Sequence, residues 1–109
     1  MAFEQGDVVW AWLPYSSGIG GEERPVLVVS TRNRGKDITV AQLTSQTAKA
    51  RRRGEYLLQR WAEANLGGPS ALRPKVFVIL KSRVTRRIGQ LHADDKPGMM
   101  ATLKGLFGL

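Results

Sequence analysis

Short runs rich in valine, isoleucine and other apolar residues recur along this chain, and each stops at a proline or a polar segment. Runs of this length and composition are typical of β-strands. We predict strands over residues 7–13, 25–30, 38–44, 54–58, 76–80 and 85–91. The 76–80 run is the most apolar of these, which indicates a central position in a sheet.

A helix is predicted after the last strand. Asp94 or Asp95 is suited to cap it, and Pro97 falls in its first turn. Residues at helical spacing supply an apolar face: Met99 or Met100, Leu103, Leu106 and Phe107. The whole pattern indicates a mainly β (α+β) fold, a small and partly open β-barrel with a C-terminal helix packed against it. The length of 109 residues indicates one domain covering residues 1–109.

The charge balance points to a polyanionic partner. Lysine and arginine total 17 against 9 aspartate and glutamate residues, a formal charge of +8, which favours nucleic acid. An anionic membrane surface is the rival partner, but the sequence shows no amphipathic helix with a basic face. Cysteine is absent, which excludes disulfides, a thiolate nucleophile and cysteine zinc sites. With His92 the only histidine, we expect no catalytic histidine pair, no metal and no cofactor.

The expected location is the cytoplasm, without contact to a membrane. No apolar run approaches the roughly 20 residues that a membrane-spanning helix needs. The first seven residues carry neither the basic start nor the apolar stretch of a signal peptide.

Five stretches, in order along the chain, carry a resemblance to a known family. They are GDVVW at 6–10, RPVLVVS at 24–30, LTSQ at 43–46, WAEANL at 61–66 followed by PS at 69–70 and RP at 73–74, and IGQL at 88–91. In these motifs the chain resembles the PemK/MazF family of type II toxin-antitoxin endoribonucleases, and more narrowly its PemK-like branch. The resemblance implies an SH3-like barrel and a homodimer. It also implies metal-independent cleavage of single-stranded RNA at preferred sequences, and a cognate antitoxin whose C-terminal segment covers the RNA-binding face.

The resemblance implies that Arg24 and Thr44 are catalytic. Cleavage by the neighbouring 2′-hydroxyl builds negative charge on the phosphorane oxygens, which a guanidinium stabilises through paired N–H donors. Arg24 is expected where a mobile glycine-rich loop meets the start of a rigid strand. Thr44 is a poor general base, so its hydroxyl is assigned to positioning and charge stabilisation. The general base stays open, because Ile19 stands where some relatives carry a glutamate, although Glu22 and Glu23 follow closely.

Further residues are predicted to hold RNA. Ser45 and Gln46 extend the strand that ends at Thr44, and an exposed aromatic ring, that of Trp12, Tyr15 or Trp61, is suited to stack a base. The predicted cationic contacts are Arg32, Arg34, Lys36, Lys49, Arg51 and Arg83. Two other functions fit the same shape and charge. One is a non-catalytic nucleic-acid-binding barrel, and the other is a gyrase-binding toxin similar to the CcdB family.

Overall fold

The computed structural model describes residues 2–32 and 35–109. Six strands form one antiparallel sheet in the order β4-β5-β3-β2-β1-β6. The strands are β1 Asp7–Pro14, β2 Gly21–Ser30, β3 Asp37–Thr44, β4 Tyr56–Leu57, β5 Ala71–Leu80 and β6 Val84–Gln90, and helix α1 follows at Lys96–Leu106. Among the described residues the outer strands β4 and β6 do not pair, so the barrel is partly open, as predicted.

Both faces of the sheet carry apolar clusters, because side chains alternate between the faces along each strand. On β2, Leu27 and Val29 join a cluster that α1 covers through Met99, which is 2% exposed. Val26 and Val28 join the opposite cluster. Burial on both sides explains why residues 26–29 form an unbroken apolar run. Within the described part of the chain, no helix has the length and apolarity to cross a bilayer.

Strand β2 begins earlier than the sequence predicts. It starts at Gly21 and pairs with β1 from that residue onward, so Arg24 lies within the strand opposite Ala11 and not at its start. Glycine is required at 21 for close packing, because a Cβ there would stand 2.4 Å from the Leu13 carbonyl oxygen and from the Trp12 ring. The glycines of this segment therefore do not all belong to a flexible loop.

The apolar run in β5 is not central, which corrects the prediction. Within the described part of the chain, residues 76–80 of β5 pair only with β3, while β4 pairs with β5 at Ala71 and Leu72. Val78 and Leu80 are 61% and 47% exposed. Pro74 fits this position, because proline cannot donate a ladder hydrogen bond and is tolerated where a strand has a free edge.

Asp95 precedes α1, but its carboxylate does not cap the helix as predicted. The buried carboxylate accepts hydrogen bonds from the Tyr56 hydroxyl at 2.6 Å and from the backbone N–H groups of Gln59 and Arg60 at 2.8 and 2.9 Å. Burial, this hydrogen bond and the nearby carboxylate charges raise the pKa of Tyr56 to about 12. Asp95 thus fixes the segment after β4 against the start of the helix.

Candidate active site

Three neighbouring strands change from apolar to polar on the same face and at the same end of the sheet. On this face β2, β3 and β5 bury apolar side chains in the cluster that includes Val26, Val28, Ile38, Val40, Ile79 and the partly buried Phe77. Continuing the alternation toward this end gives the polar side chains Glu22, Arg24, Gln42, Thr44, Arg73 and Lys75. The site is therefore the open polar end of an otherwise apolar face.

The register of β2 and β3 places the two predicted catalytic residues on one face. The last paired residues at this end are Val26 and Gln42, and Arg24 and Thr44 lie two residues beyond them on the same face. Arg24 and Thr44 line a cleft of about 440 Å³ together with Ser45 and Gln46. Residues 66–70 form part of its opposite wall. The structure thus brings together four of the site residues that the sequence predicts.

Arg24 is held by the strand and by a carboxylate. Its Nε lies 2.8 Å from Glu22 Oε1, and both side chains are a little over 40% exposed. Glu23 points to the other face, where its carboxylate accepts a hydrogen bond from Trp10 Nε1 at 2.7 Å. Glu22 is therefore the carboxylate that accompanies Arg24, while Ile19 is 83% exposed in the preceding loop.

Thr44 ends β3 with its hydroxyl at the cleft. Its Oγ1 accepts a hydrogen bond from the backbone N–H of Gln46 at 3.1 Å, which orients the side chain. The hydroxyl hydrogen remains available to donate to a bound oxygen. Ser45 and Gln46 are exposed beside it. This strand end can therefore offer several polar groups to one phosphate.

Arg73 is a site residue that our sequence reasoning did not assign. Its Nε lies 2.9 Å from Glu55 Oε2, and the Glu55 side chain is only 1% exposed. Arg73 and Arg24 line the 440 Å³ cleft and also a second, smaller one of about 200 Å³. The signal was the alternation of Arg73 with Phe77 and Ile79, which places all three side chains on one face.

The remaining predicted RNA contacts are spread over the surface. Lys49 lies in a shallow pocket with Gln46, and Arg51 is exposed in the short helical turn Arg51–Arg53 close by. Lys36 precedes β3 and lies at the end opposite Thr44, and an eight-residue strand spans about 24 Å. Arg32 follows β2 at that same far end.

Two other cations need separate mention. Arg83 lies in neither of the two clefts, and its guanidinium stacks on the Trp12 ring, 4.6 Å from the centroid. Arg34 lies outside the described residues. Of the aromatic rings predicted to stack a base, Tyr15 lines the smaller cleft, whereas Trp12 and Trp61 line neither cleft.

These features define a small basic β-barrel in which an arginine and a threonine line one surface cleft. The sequence profile of PemK-like and MazF-like toxins of type II toxin-antitoxin systems matches residues 4–107. The chain therefore belongs to this toxin family, as its motifs indicate. A search of curated protein sequences finds no significant match.

Solved structures share this fold over nearly the whole chain. The Mycobacterium tuberculosis toxin MazF-mt6 is 24% identical, with a TM-score of 0.73 over 94% of this chain and 97% of its own. An endoribonuclease from a mycobacterial species is 15% identical, with a TM-score of 0.76 over 100% and 94%. A MazE-MazF structure from Deinococcus radiodurans is 20% identical, with a TM-score of 0.74 over 100% and 98%. These likenesses confirm the predicted fold.

Proposed function

We propose that this protein is the toxin of a type II toxin-antitoxin pair and cleaves single-stranded RNA without a metal ion, thereby inhibiting growth. The observation that carries this proposal is that Arg24 and Thr44 line one open cleft of a +8 chain. Solved relatives named endoribonucleases support the reaction class. The cleft is open to solvent and can admit an unpaired strand.

The scissile phosphate binds between Arg24 and Thr44. The guanidinium donates to the non-bridging oxygens, where negative charge grows in the transition state. The Thr44 hydroxyl donates to a phosphate oxygen or to the leaving 5′-oxygen. Arg73, held by Glu55, adds a second positive charge at the edge of the same cleft. These groups supply electrostatic stabilisation and position the phosphate.

Proton transfer involves Glu22 in this proposal. Its carboxylate lies on the face of Arg24, whereas Glu23 is bonded to Trp10 on the other face. Glu22 accepts the proton of the 2′-hydroxyl as O2′ bonds to phosphorus. The P–O5′ bond breaks, and the leaving oxygen takes a proton from water. The products are a 2′,3′-cyclic phosphate and a 5′-hydroxyl end.

The partners follow from the same surface. One solved relative is an endoribonuclease in complex with its cognate antitoxin, and we infer an antitoxin for this chain whose acidic segment competes with RNA for the basic cleft. A homodimer is also proposed. The free edge of β5 exposes Val78 and Leu80, and an apolar strand edge favours pairing with another chain. Sedimentation at micromolar concentration tests the dimer, and a monomer alone would contradict it.

Cleavage in EDTA is the experiment that tests the catalytic proposal. Purified protein is incubated with a long RNA and the new ends are mapped, after which a short RNA containing one mapped site is synthesised. We expect cyclic phosphate products, and no cut when the attacking ribose is 2′-deoxyribose. Arg24→Ala should slow cleavage by roughly 10³-fold. Arg86→Ala changes an exposed arginine that lines neither cleft, so it serves as the matched control and should retain wild-type activity.

The outcomes separate the competing functions. Wild-type protein that binds the long RNA yet leaves it intact is the non-catalytic barrel. Protein that neither binds nor cleaves RNA but inhibits DNA supercoiling by gyrase is a gyrase-binding toxin. Equal cleavage by wild type and Arg24→Ala would assign the activity to a contaminating nuclease and overturn the proposal.

A further inference from the structure

We propose that the smaller cleft is a subsite for one unpaired nucleobase next to the scissile phosphate, and that Gln42 determines which base it accepts. The inference rests on the proposed ribonuclease function and extends it to sequence preference. The cleft, of about 200 Å³, is lined by Tyr15, Gln42 and Phe77, and it shares Arg24 and Arg73 with the larger cleft.

Gln42 is the observation that points to a ligand. It is only 5% exposed, yet its side-chain amide makes no hydrogen bond to any residue in the described ranges 2–32 and 35–109. It lies on β3 two residues before Thr44, so its amide shares the face of that residue and lines the smaller cleft. The amide is not among the fully enclosed unpaired polar atoms of the described residues, which are Glu55 Oε1 and Gln90 Oε1, so it opens into the cleft. It can therefore donate and accept hydrogen bonds to a group bound there.

The walls of the cleft suit a flat ring. Tyr15 is 47% exposed, and its backbone is held by a hydrogen bond from its N–H to the Gly20 carbonyl at 3.1 Å. Its ring lies over Gly20, where a Cβ would stand 3.5 Å away. Phe77 forms part of the wall, with the Lys75 ammonium 5.5 Å from its ring centroid. Aromatic rings positioned in this way stack unpaired bases in RNA-binding proteins.

The position of the cleft assigns the base to a nucleotide at the cut. Arg24 lines both clefts, so a phosphate bound to its guanidinium lies at the boundary between them. A base attached to that phosphate through its ribose can therefore enter the smaller cleft. The Gln42 amide presents one acceptor oxygen beside two N–H donors, which pairs with a base edge that carries an adjacent donor and acceptor.

Cleavage of a randomised RNA library measures the preference directly. The library is cut by wild type, Gln42→Leu, Gln42→Glu and the control Gln59→Leu, which changes an exposed glutamine outside both clefts. We expect Gln42→Leu to lower the preference at one fixed position beside the cut by roughly 10- to 100-fold, leaving other positions unchanged. Gln42→Glu, which offers only acceptors, should shift that position toward bases that present amino groups. Gln59→Leu should match wild type.

A binding measurement keeps the two proposals distinguishable. Four short uncleavable strands, each built on 2′-deoxyribose with one of the four RNA bases repeated throughout, are titrated onto wild type and Gln42→Leu, so that no cut site needs to be known. Folding of Gln42→Leu is checked by thermal unfolding. Discrimination that is present in wild type and lost in folded Gln42→Leu supports the subsite even if no RNA is cut, in which case only the ribonuclease proposal fails. If Gln42→Leu and Gln42→Glu cleave RNA with the same base preference as wild type at every position, the subsite proposal alone is overturned.

Discussion

Arg73 and Glu55 form an ion pair at 2.9 Å in which the arginine is about one-third exposed and the glutamate is almost fully buried. The second carboxylate oxygen, Oε1, is buried without a hydrogen-bond partner among the described residues. Removing the cation that pairs with a buried carboxylate strongly destabilises the fold, because the cost of desolvating the carboxylate is then uncompensated. Glu55 therefore depends on Arg73, and it fixes that guanidinium beside the cleft.

We expect Arg73→Ala to lower the free energy of unfolding by about 2–3 kcal/mol, less than for a fully buried pair because the arginine is partly exposed. The double variant Arg73→Ala/Glu55→Gln should recover most of that loss, because it removes the orphaned charge. Urea unfolding of wild type, both single variants and the double variant measures the coupling. Strictly additive losses would show that the pair carries no coupling.

Thr44 tests the role of a single hydroxyl. Thr44→Val keeps the shape and removes the donor, so we expect cleavage to slow by roughly 10²-fold while RNA affinity changes little. Thr44→Ser retains the hydroxyl and should remain within about tenfold of wild type. Single-turnover kinetics on the mapped short RNA measure the chemical step. Equal cleavage rates for the valine and serine variants would show that the Thr44 hydroxyl does not contribute to cleavage and that the residue serves only the strand.

Glu22 tests the assignment of the general base. Glu22→Gln keeps the size of the side chain and removes its ability to take a proton, so we expect the cleavage rate at neutral pH to fall by roughly 10²- to 10³-fold. Glu23→Gln, on the opposite face, is the control and should keep the wild-type rate. Single-turnover kinetics on the mapped short RNA measure both variants, and a wild-type rate for Glu22→Gln would exclude its carboxylate as the base.

The sequence predicted much of this site because alternation along a strand is a strong constraint. Thr44 was expected to end a strand, and the period of two along that strand puts Gln42 on the same face; Thr44 lines the larger cleft and Gln42 the smaller. Arg24 was expected at the start of a strand, because Gly21 was assigned to the preceding glycine-rich loop. In the structure Gly21 belongs to β2, where glycine allows close packing. The alternation of Arg73 with Phe77 and Ile79 gives its face, but the ion pair with Glu55, a residue distant in sequence, follows from no local pattern.

The sequence does not show which end of the sheet binds RNA, because lysine and arginine are abundant at both ends. Only the pairing of strands shows that Lys49 lies near Gln46 while Lys36 lies about 24 Å from Thr44. Aspartate is a residue type that commonly caps helices, so Asp95 was predicted as a cap. Its burial beside Tyr56 follows instead from long-range packing. Contacts between residues far apart in the chain are what the local pattern cannot supply.

Salt dependence distinguishes the near and far cations. Each phosphate contact contributes about 0.7 to the slope of log affinity against log salt for a single strand. We expect Lys49→Ala to reduce the slope by about 0.7, because Lys49 lies beside Gln46. Lys36→Ala, at the far end of β3, should leave the slope unchanged for a short RNA. Titrations of an uncleavable short RNA at 50 to 300 mM salt measure the slope for each variant. A slope that falls for Lys36→Ala and not for Lys49→Ala would contradict the assigned binding face.

Tyr56 and Asp95 give the fold a dependence on alkaline pH. The pKa of Tyr56 rises from 10.0 to about 12, so the folded protein holds the phenolic proton more tightly than the unfolded chain. The stabilisation is fully present below pH 10 and is lost as the pH rises toward 12. Tyr56→Phe removes the hydrogen bond to Asp95 and should lower the free energy of unfolding by about 1–2 kcal/mol at neutral pH.

The difference in stability between wild type and Tyr56→Phe is the quantity to measure, because lysines also titrate in this range. Urea unfolding at pH 7 to 11.5 should show a constant difference up to about pH 10 and a shrinking difference above it. Tyr15→Phe changes an exposed tyrosine and serves as the control. A difference that stays constant to pH 11.5 would contradict the coupling of Tyr56 to Asp95, and RNA cleavage at neutral pH should be unchanged in Tyr56→Phe.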